Sequence, residues 1–153
     1  LIREGRPVLG VVHVPVQKLT YFAADGKAFR QAEGATAVAI QVAGQAQSPL
    51  RVLGSKSHRT DAMQPLLAKL GDHRLIPVGS SLKFCLVAEG SADLYPRIGP
   101  TSEWDTAAGQ ALVECAGGRV VDLQGRPLRY NARESLINPD FMAFGDLNRA
   151  WQC

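Results

Sequence analysis

Asp105 opens the stretch EWDTAAGQALVECAGG, residues 103–118, and its carboxylate is the most chemically suggestive group of the chain. Ala108, Ala111, Leu112 and Cys115 recur at helical spacing and Gly117–Gly118 supply a stop, so the stretch reads as one helix with Asp105 in its first turn. A carboxylate there is favoured by the helix dipole and the free N–H groups, by about 0.3 to 1 kcal/mol when exposed. The same group is a hard oxygen ligand of the kind magnesium takes. From the residues alone, cap and ligand both stay open. Trp104 is placed to shield such a site, and the small residues at 107–109 let a second backbone approach closely and hold the carboxylate rigidly.

A second group of residues lies in GSSLKFCLVAEG, 79–90. Ser80 or Ser81 reads as the cap of a short helix that Gly90 ends, and Lys83 falls in the first turn, where a cation opposes the dipole. Backbone N–H groups, hydroxyls and one ammonium converging there would suit a phosphate. A capped helix with a solvated lysine is the competing reading. Arg97 ends ADLYPR and puts a cation at the carboxyl end of an expected strand, where ligands gather in α/β sheets; the alternative is a surface arginine. GSKSHRTD, 54–61, is a polar strand-to-helix loop in which His58 is the best candidate for more than solvation. His13 and His73 read as structural, and Cys85, Cys115 and Cys153 show no pair at zinc spacing.

The elements that must position these groups show two textures. Residues 7–31 alternate β-branched, aromatic and polar residues around Asp25–Gly26, a two-residue hairpin signal, and read as antiparallel strands. Strand-like 50–55, helical 61–71, short 74–79, helical 81–90 and strand-like 92–98 then alternate as α/β crossover units do. After the helix at 103 come a strand and turn within 118–128 and an Asn-, Pro- and Arg-rich tail holding one apolar run, FMAF, at 141–144. The chain divides on this reading into antiparallel strands at 1–49 and an α/β unit at 50–153 that carries every candidate residue.

Composition narrows the classes. With 46% hydrophobic and 20% charged residues the chain has a globular composition, and its formal charge of +3 is scattered, which argues against a nucleic-acid polymer or a membrane face as partner. No apolar run reaches the ~18 residues of a membrane span. An odd number of cysteines within apolar helical patterns fits a reduced, cytosolic protein.

WDTAAGQALVECAGG resembles the second signature of the inositol-monophosphatase superfamily, Trp-Asp-x-Ala-Ala-Gly followed by a helix and a closing Gly-Gly. GSSLKFCLVAEGSADLYPRIGPTSEWD with RESLINPDF resembles, more narrowly, the bacterial 3'(2'),5'-bisphosphate nucleotidases, and the likeness runs from Leu1 to about Phe144. The resemblance implies an α/β fold of the layered α+β sandwich type and a magnesium-dependent, lithium-sensitive phosphatase. The activity implied removes the 3'-phosphate of adenosine 3',5'-bisphosphate to leave AMP in sulfur assimilation, with the sulfated analogue as a further substrate. Under it Asp105 matches a metal-binding aspartate, Ser80 and Lys83 match nucleotide contacts, Arg97 matches an arginine near phosphate or base, and His58 matches a histidine of the same pocket. A cytoplasmic location is implied, with peripheral attachment at the inner membrane as an alternative.

The family's first signature, Asp-Pro-x-Asp-Gly-Thr, and its upstream Glu do not occur; the single Asp-Gly, Asp25–Gly26, is followed by Lys27. One carboxylate does not hold two or three magnesium ions. The expectation is therefore a C-terminal portion, inactive alone, whose partner is a missing N-terminal half or another copy of the chain, and whose open sheet edge favours association or instability. Two other functions compete: an inositol or fructose-bisphosphate phosphatase, which would share Asp105 without needing Ser80, Lys83 and Arg97, and a nucleotide-binding module without catalysis.

Overall fold

The computed structural model describes residues 1–54 and 63–151. Alternation over residues 9–32 folds as an antiparallel meander of β3 (Leu9–Val14), β4 (Leu19–Ala24) and β5 (Lys27–Ala32), joined by the short β6 (Val38–Ile40), after a small ribbon of β1 (Ile2–Arg3) and β2 (Arg6–Pro7). Asp25 and Gly26 both take positive φ, 51° and 72°, the conformation that matches a tight turn to the twist of its strands. Leu19, Tyr21 and Ala23 of β4 face inward and are buried.

The rest of the chain builds a five-stranded mixed sheet in the order β10-β11-β9-β7-β8. Its elements are β7 (Leu50–Gly54), α1 (Gln64–Leu70), β8 (His73–Pro77), α2 (Leu82–Ala88), β9 (Leu94–Arg97), α3 (Glu103–Cys115), β10 (Arg119–Asp122) and β11 (Phe141–Phe144). β8 and β9 flank β7 in parallel, through the crossover helices α1 and α2 that the alternating pattern predicts. β11 is the run FMAF. It lies antiparallel between β9 and β10 with all four residues buried, and a strand covered on both faces carries a continuous apolar run rather than an alternation.

The sheet sorts its residues onto two cores by strand alternation. Leu53, Tyr95, Phe141 and Ala143 join a cluster with Phe84 and Val87 of α2, Leu112 and Val113 of α3, and Tyr21 and Ala23 of the first sheet. Leu50, Val52, Leu94, Met142 and Phe144 face the other way, onto Leu67 and Leu70 of α1. Helices α2 and α3 therefore lie between the two sheets, with α1 outside the larger one. Cys85 is fully buried in the first cluster; burial pushes its thiol up to about 12, and it serves there as a small apolar residue. An ion pair pins β7 to the start of β9: Arg51 grips the buried Asp93 through Nη2 at 2.7 Å and Nε at 3.1 Å. Burial raises the Asp93 carboxyl, but the Arg51 hydrogen bonds outweigh it and leave it below the usual range.

Two glycines set the spacing of α3. A Cβ on Gly10 of β3 would sit 2.9 Å from Cα of Ala108, and one on Gly109 would run into the Phe84 ring. The small residues at 107–109 thus admit a strand on one side and an aromatic ring on the other, as their size suggests. β3 ends the order of the first sheet among the described residues, with Leu9 41% and Val11 54% exposed.

Replacing Gly10 by Ala sets a methyl against helix backbone, which cannot rotate away. We expect a loss of about 1–3 kcal/mol, read as a lower urea midpoint at unchanged slope.

Candidate functional site

The first turn of α3 is held from several directions. Ser102 is its N-cap in extended conformation, and the Ser102 N–H donates to Asp105 Oδ2 at 2.9 Å. Asp105 is therefore a cap through one oxygen; its second oxygen makes no hydrogen bond among the described residues. Asn138 clamps the same turn from below. Its Nδ2 donates to Ser102 O at 2.9 Å and Thr106 Oγ1 at 3.0 Å, with Thr101 Oγ1 at 3.2 Å, and its backbone N–H donates to Thr101 O. The Tyr130 hydroxyl donates to Gln110 Oε1 at 2.6 Å and lies 3.1 Å from Thr106 Oγ1. Buried Glu103 receives the Asn131 N–H on Oε2 at 2.9 Å. None of these bracing residues is singled out by its sequence signal, because each matters through a partner about 20 to 36 residues away.

Lys83 is buried, 5% exposed, which removes the solvated-lysine reading. Its Nζ donates to Ser80 O at 3.0 Å and Val78 O at 3.3 Å and sits 4.9 Å from the centroid of the Tyr95 ring. An ammonium has three donors, so two go to backbone and the third is left for the cleft. Burial, and secondarily the charge of Arg97, lower the Lys83 pKa to about 8. Ser80 takes positive φ, 53°, a conformation non-glycine residues seldom adopt, and Lys83 holds its carbonyl. Ser81 occupies the N-cap of α2 without a side-chain cap bond; its hydroxyl reaches Asp105 O at 3.5 Å instead. The expected serine cap is thus corrected: the short helix leans on α3 rather than on its own hydroxyl. α2 has only seven residues, so side chains rather than its dipole supply the cationic character. Arg97 ends β9, donates through Nη2 to Pro100 O at 3.0 Å, and keeps a buried Nε without a partner.

These groups meet in one open cleft of about 220 Å³, lined by Ser80, Ser81, Lys83, Tyr95, Arg97 and Asp105 together with Phe84 and the Pro100, Thr101 and Thr106 wall. Four of the residues singled out in the sequence come together there. His58 and the polar loop around it lie outside the described residues. Trp104 does not shield the cleft: it is 70% exposed and absent from its walls, because the helical turn that points Asp105 inward rotates its neighbour outward. His13 and His73 stay structural, with Nδ1 of each bonded locally, to Thr20 Oγ1 and Gly71 O.

A model of the inositol monophosphatase family matches residues 1–152. The chain belongs to that family. Among curated proteins it is 54% identical over 141 residues to the 3'(2'),5'-bisphosphate nucleotidase CysQ of Salmonella typhimurium, and 52% identical to its counterpart in Escherichia coli K12. Each alignment covers 92% of this chain and 56% of the relative, so the chain spans a little over half the length of the curated proteins it matches. The fold superimposes on the crystal structure of CysQ from Bacteroides thetaiotaomicron with a TM-score of 0.83 and 39% identity, covering 94% of this chain and 60% of that one. The inositol monophosphatase of Zymomonas mobilis, at 24% identity and a TM-score of 0.75, shares the fold over 95% of this chain and 55% of its own. The layered α/β class expected from the sequence is the class observed.

The described residues do not form a magnesium site by themselves. Asp105 is the one carboxylate lining the cleft, and among the described residues no three His, Cys, Asp or Glu side chains gather as metal ligands. Mg²⁺ asks for near-octahedral oxygen coordination, of which the described residues of the cleft offer one free carboxylate oxygen. Its own contribution to the site is cationic: Lys83 and Arg97 with hydroxyls around them, an arrangement that binds and orients an oxyanion.

The charge of Lys83 sets a pH limit on that binding. Below pH 8 the ammonium is charged; above it the cleft loses a cation. Sulfate, which does not titrate in this range, should bind progressively more weakly between pH 7 and 9 in calorimetric titrations, and Lys83→Met should remove that dependence. Stability should respond in the opposite sense, because between about 8 and the ordinary lysine value of 10.5 the unfolded chain holds the extra proton, and ΔG of unfolding rises with pH there.

Proposed function

We propose that the protein is a magnesium-dependent phosphatase that removes the 3'-phosphate of adenosine 3',5'-bisphosphate to give AMP, acting in the cytoplasm in sulfur assimilation. In this reading Ser80, Lys83, Arg97 and His58 bind the nucleotide and Asp105 supplies one metal ligand, the remaining ligands coming from outside these 153 residues. Residues 50–153 form the nucleotide-recognition unit and 1–49 contribute strands of a larger sheet. The observation that carries the reading is the convergence of Lys83, Arg97, Ser80 and Asp105 on one cleft, in a chain 54% identical to a protein named for this activity. Lithium inhibition is part of the same proposal.

Within that function the side chains of this chain do separable things. Lys83 and Arg97 neutralise and orient a phosphate through fixed donors, since both are anchored on backbone carbonyls before any ligand arrives. Asp105 is presented rigidly by its capping bond and by the Asn138 clamp behind it. An inositol or fructose-bisphosphate phosphatase would have no use for the buried Lys83 and Arg97 pair, and ranking substrates by rate separates the two.

One observation favours a second reading for the chain on its own. The described residues hold a single cleft carboxylate and no cluster of metal-ligating groups beside the cations, which favours a nucleotide-binding module without catalysis.

Phosphate release from adenosine 3',5'-bisphosphate with Mg²⁺ tests both. The 153-residue chain alone should show no turnover while binding the nucleotide with or without metal; robust turnover by it would overturn the assignment. In the enzyme with its full ligand set, Asp105→Asn should lower kcat by at least about 100-fold, the scale of losing one electrostatic group at the reacting centre, with little loss of stability. Asparagine retains an oxygen for the Ser102 N–H, so an unchanged kcat would return Asp105 to the role of a cap alone.

A further inference from the structure

The chain has three tyrosines, and two of them spend their hydroxyls inside the fold. Tyr21 donates to Glu89 Oε2 at 2.9 Å and Tyr130 to Gln110 Oε1 at 2.6 Å. Tyr95 is buried as well, at 6% exposure against 1% for each of the other two, and its hydroxyl makes no hydrogen bond among the described residues. Its oxygen is not one of the fully buried unpartnered atoms of the fold, so the hydroxyl reaches solvent through the cleft. What Tyr95 does have is a wall position in the cleft, between the residues already described.

Its ring is locked. Phe84 meets it edge-on at 5.1 Å and Phe141 at 5.6 Å, while Lys83 Nζ sits 4.9 Å from its centroid. A ring held on three sides cannot swing to find another acceptor, so the hydroxyl is a donor fixed in advance of any ligand. Beside burial, the charge of Arg97 pulls the phenol's pKa down and that of Asp105 pushes it up, and both side chains line the same cleft as its ring. Burial holds its pKa up at about 12, so the proton is present throughout the neutral range. A protonated, rigid, unpartnered donor beside two cations is complementary to an oxyanion.

We propose that the Tyr95 hydroxyl is a ligand-binding donor of the cleft, directed at a phosphoryl oxygen of the anion that Lys83 and Arg97 hold. This rests on the phosphate-binding reading above and adds a neutral, directional contact to its two charged ones. The aromatic ring thereby serves two ends: its face supports the Lys83 ammonium and its hydroxyl finishes the donor set.

Tyr95→Phe tests this cleanly, because it keeps the ring, its aromatic contacts and the support for Lys83, and removes one oxygen. Calorimetric titration of the chain with adenosine 3',5'-bisphosphate and, separately, with sulfate should show Kd raised about tenfold by the substitution for both probes, the scale of one hydrogen bond to a charged acceptor. The melting temperature should not fall. Equal binding by wild type and Tyr95→Phe would overturn the proposal while leaving the functional reading intact. Wild-type protein that binds neither probe would overturn both. Weaker binding of the nucleotide with unchanged binding of sulfate would place the hydroxyl on the nucleoside and overturn the phosphoryl assignment. Weakened binding accompanied by a fall of more than about 3 °C in melting temperature would make the hydroxyl a structural group and overturn it as well.

Discussion

The fold depends on how closely α3 is allowed to approach its neighbours. Gly10 of β3 lies against the backbone of Ala108, and Gly109, one residue on, accepts the ring of Phe84 from α2. Side chains at either glycine would push the helix off the first sheet or off α2, and the cleft is lined by the starts of α2 and α3 and the end of β9. Dense packing of this kind transmits position with little slack. The carboxylate of Asp105 therefore arrives opposite Lys83 and Arg97 because of contacts made three and four residues further along the helix.

Polar groups buried at the start of α3 carry the same constraint to the end of the chain. Asn138 spends its amide hydrogens on Ser102 O and on Thr106 Oγ1, and the hydroxyl of Tyr130 meets Gln110 one turn below. Each of these groups would cost about 1–3 kcal/mol if left unpaired in the interior, so the loop from Tyr130 to Asn138 and the helix fix one another. A segment rich in Asn, Pro and Arg, with no regular secondary structure over most of its length, thus braces the start of α3 from outside the cleft. Its contribution is alignment of the turn that carries Asp105.

Cation placement follows a different logic. An isolated buried ammonium is unfavourable, and Lys83 is tolerated because two carbonyls and the face of Tyr95 surround it. Arg97, 14 residues later, is drawn to the same place by the end of β9 and the turn to Pro100. Two like charges near one another lower the proton affinity of the weaker base, and an incoming oxyanion relieves both.

Much of this was readable in the residues themselves. Asp25–Gly26 set a hairpin because only a short list of residues adopts its positive φ; the helix at 103–115 followed from apolar spacing, and the motif around Asp105 pointed to the family. Lys83 in a first turn and Arg97 at a strand end were local anomalies that asked for an anion. Other features carried no local mark. FMAF became a central strand only because β9 and β10 lie on either side of it, and Pro96 of β9 is accepted inside the sheet. Whether Lys83 is solvated or buried, whether Trp104 covers the site or faces water, and which tyrosine hydroxyl is left unspent depend on groups distant along the chain. Spacing along a strand or helix is a property of neighbours in sequence, and the sequence alone determines it. Burial, partnership and the field at a side chain are sums over neighbours in space, and only the tertiary structure decides them.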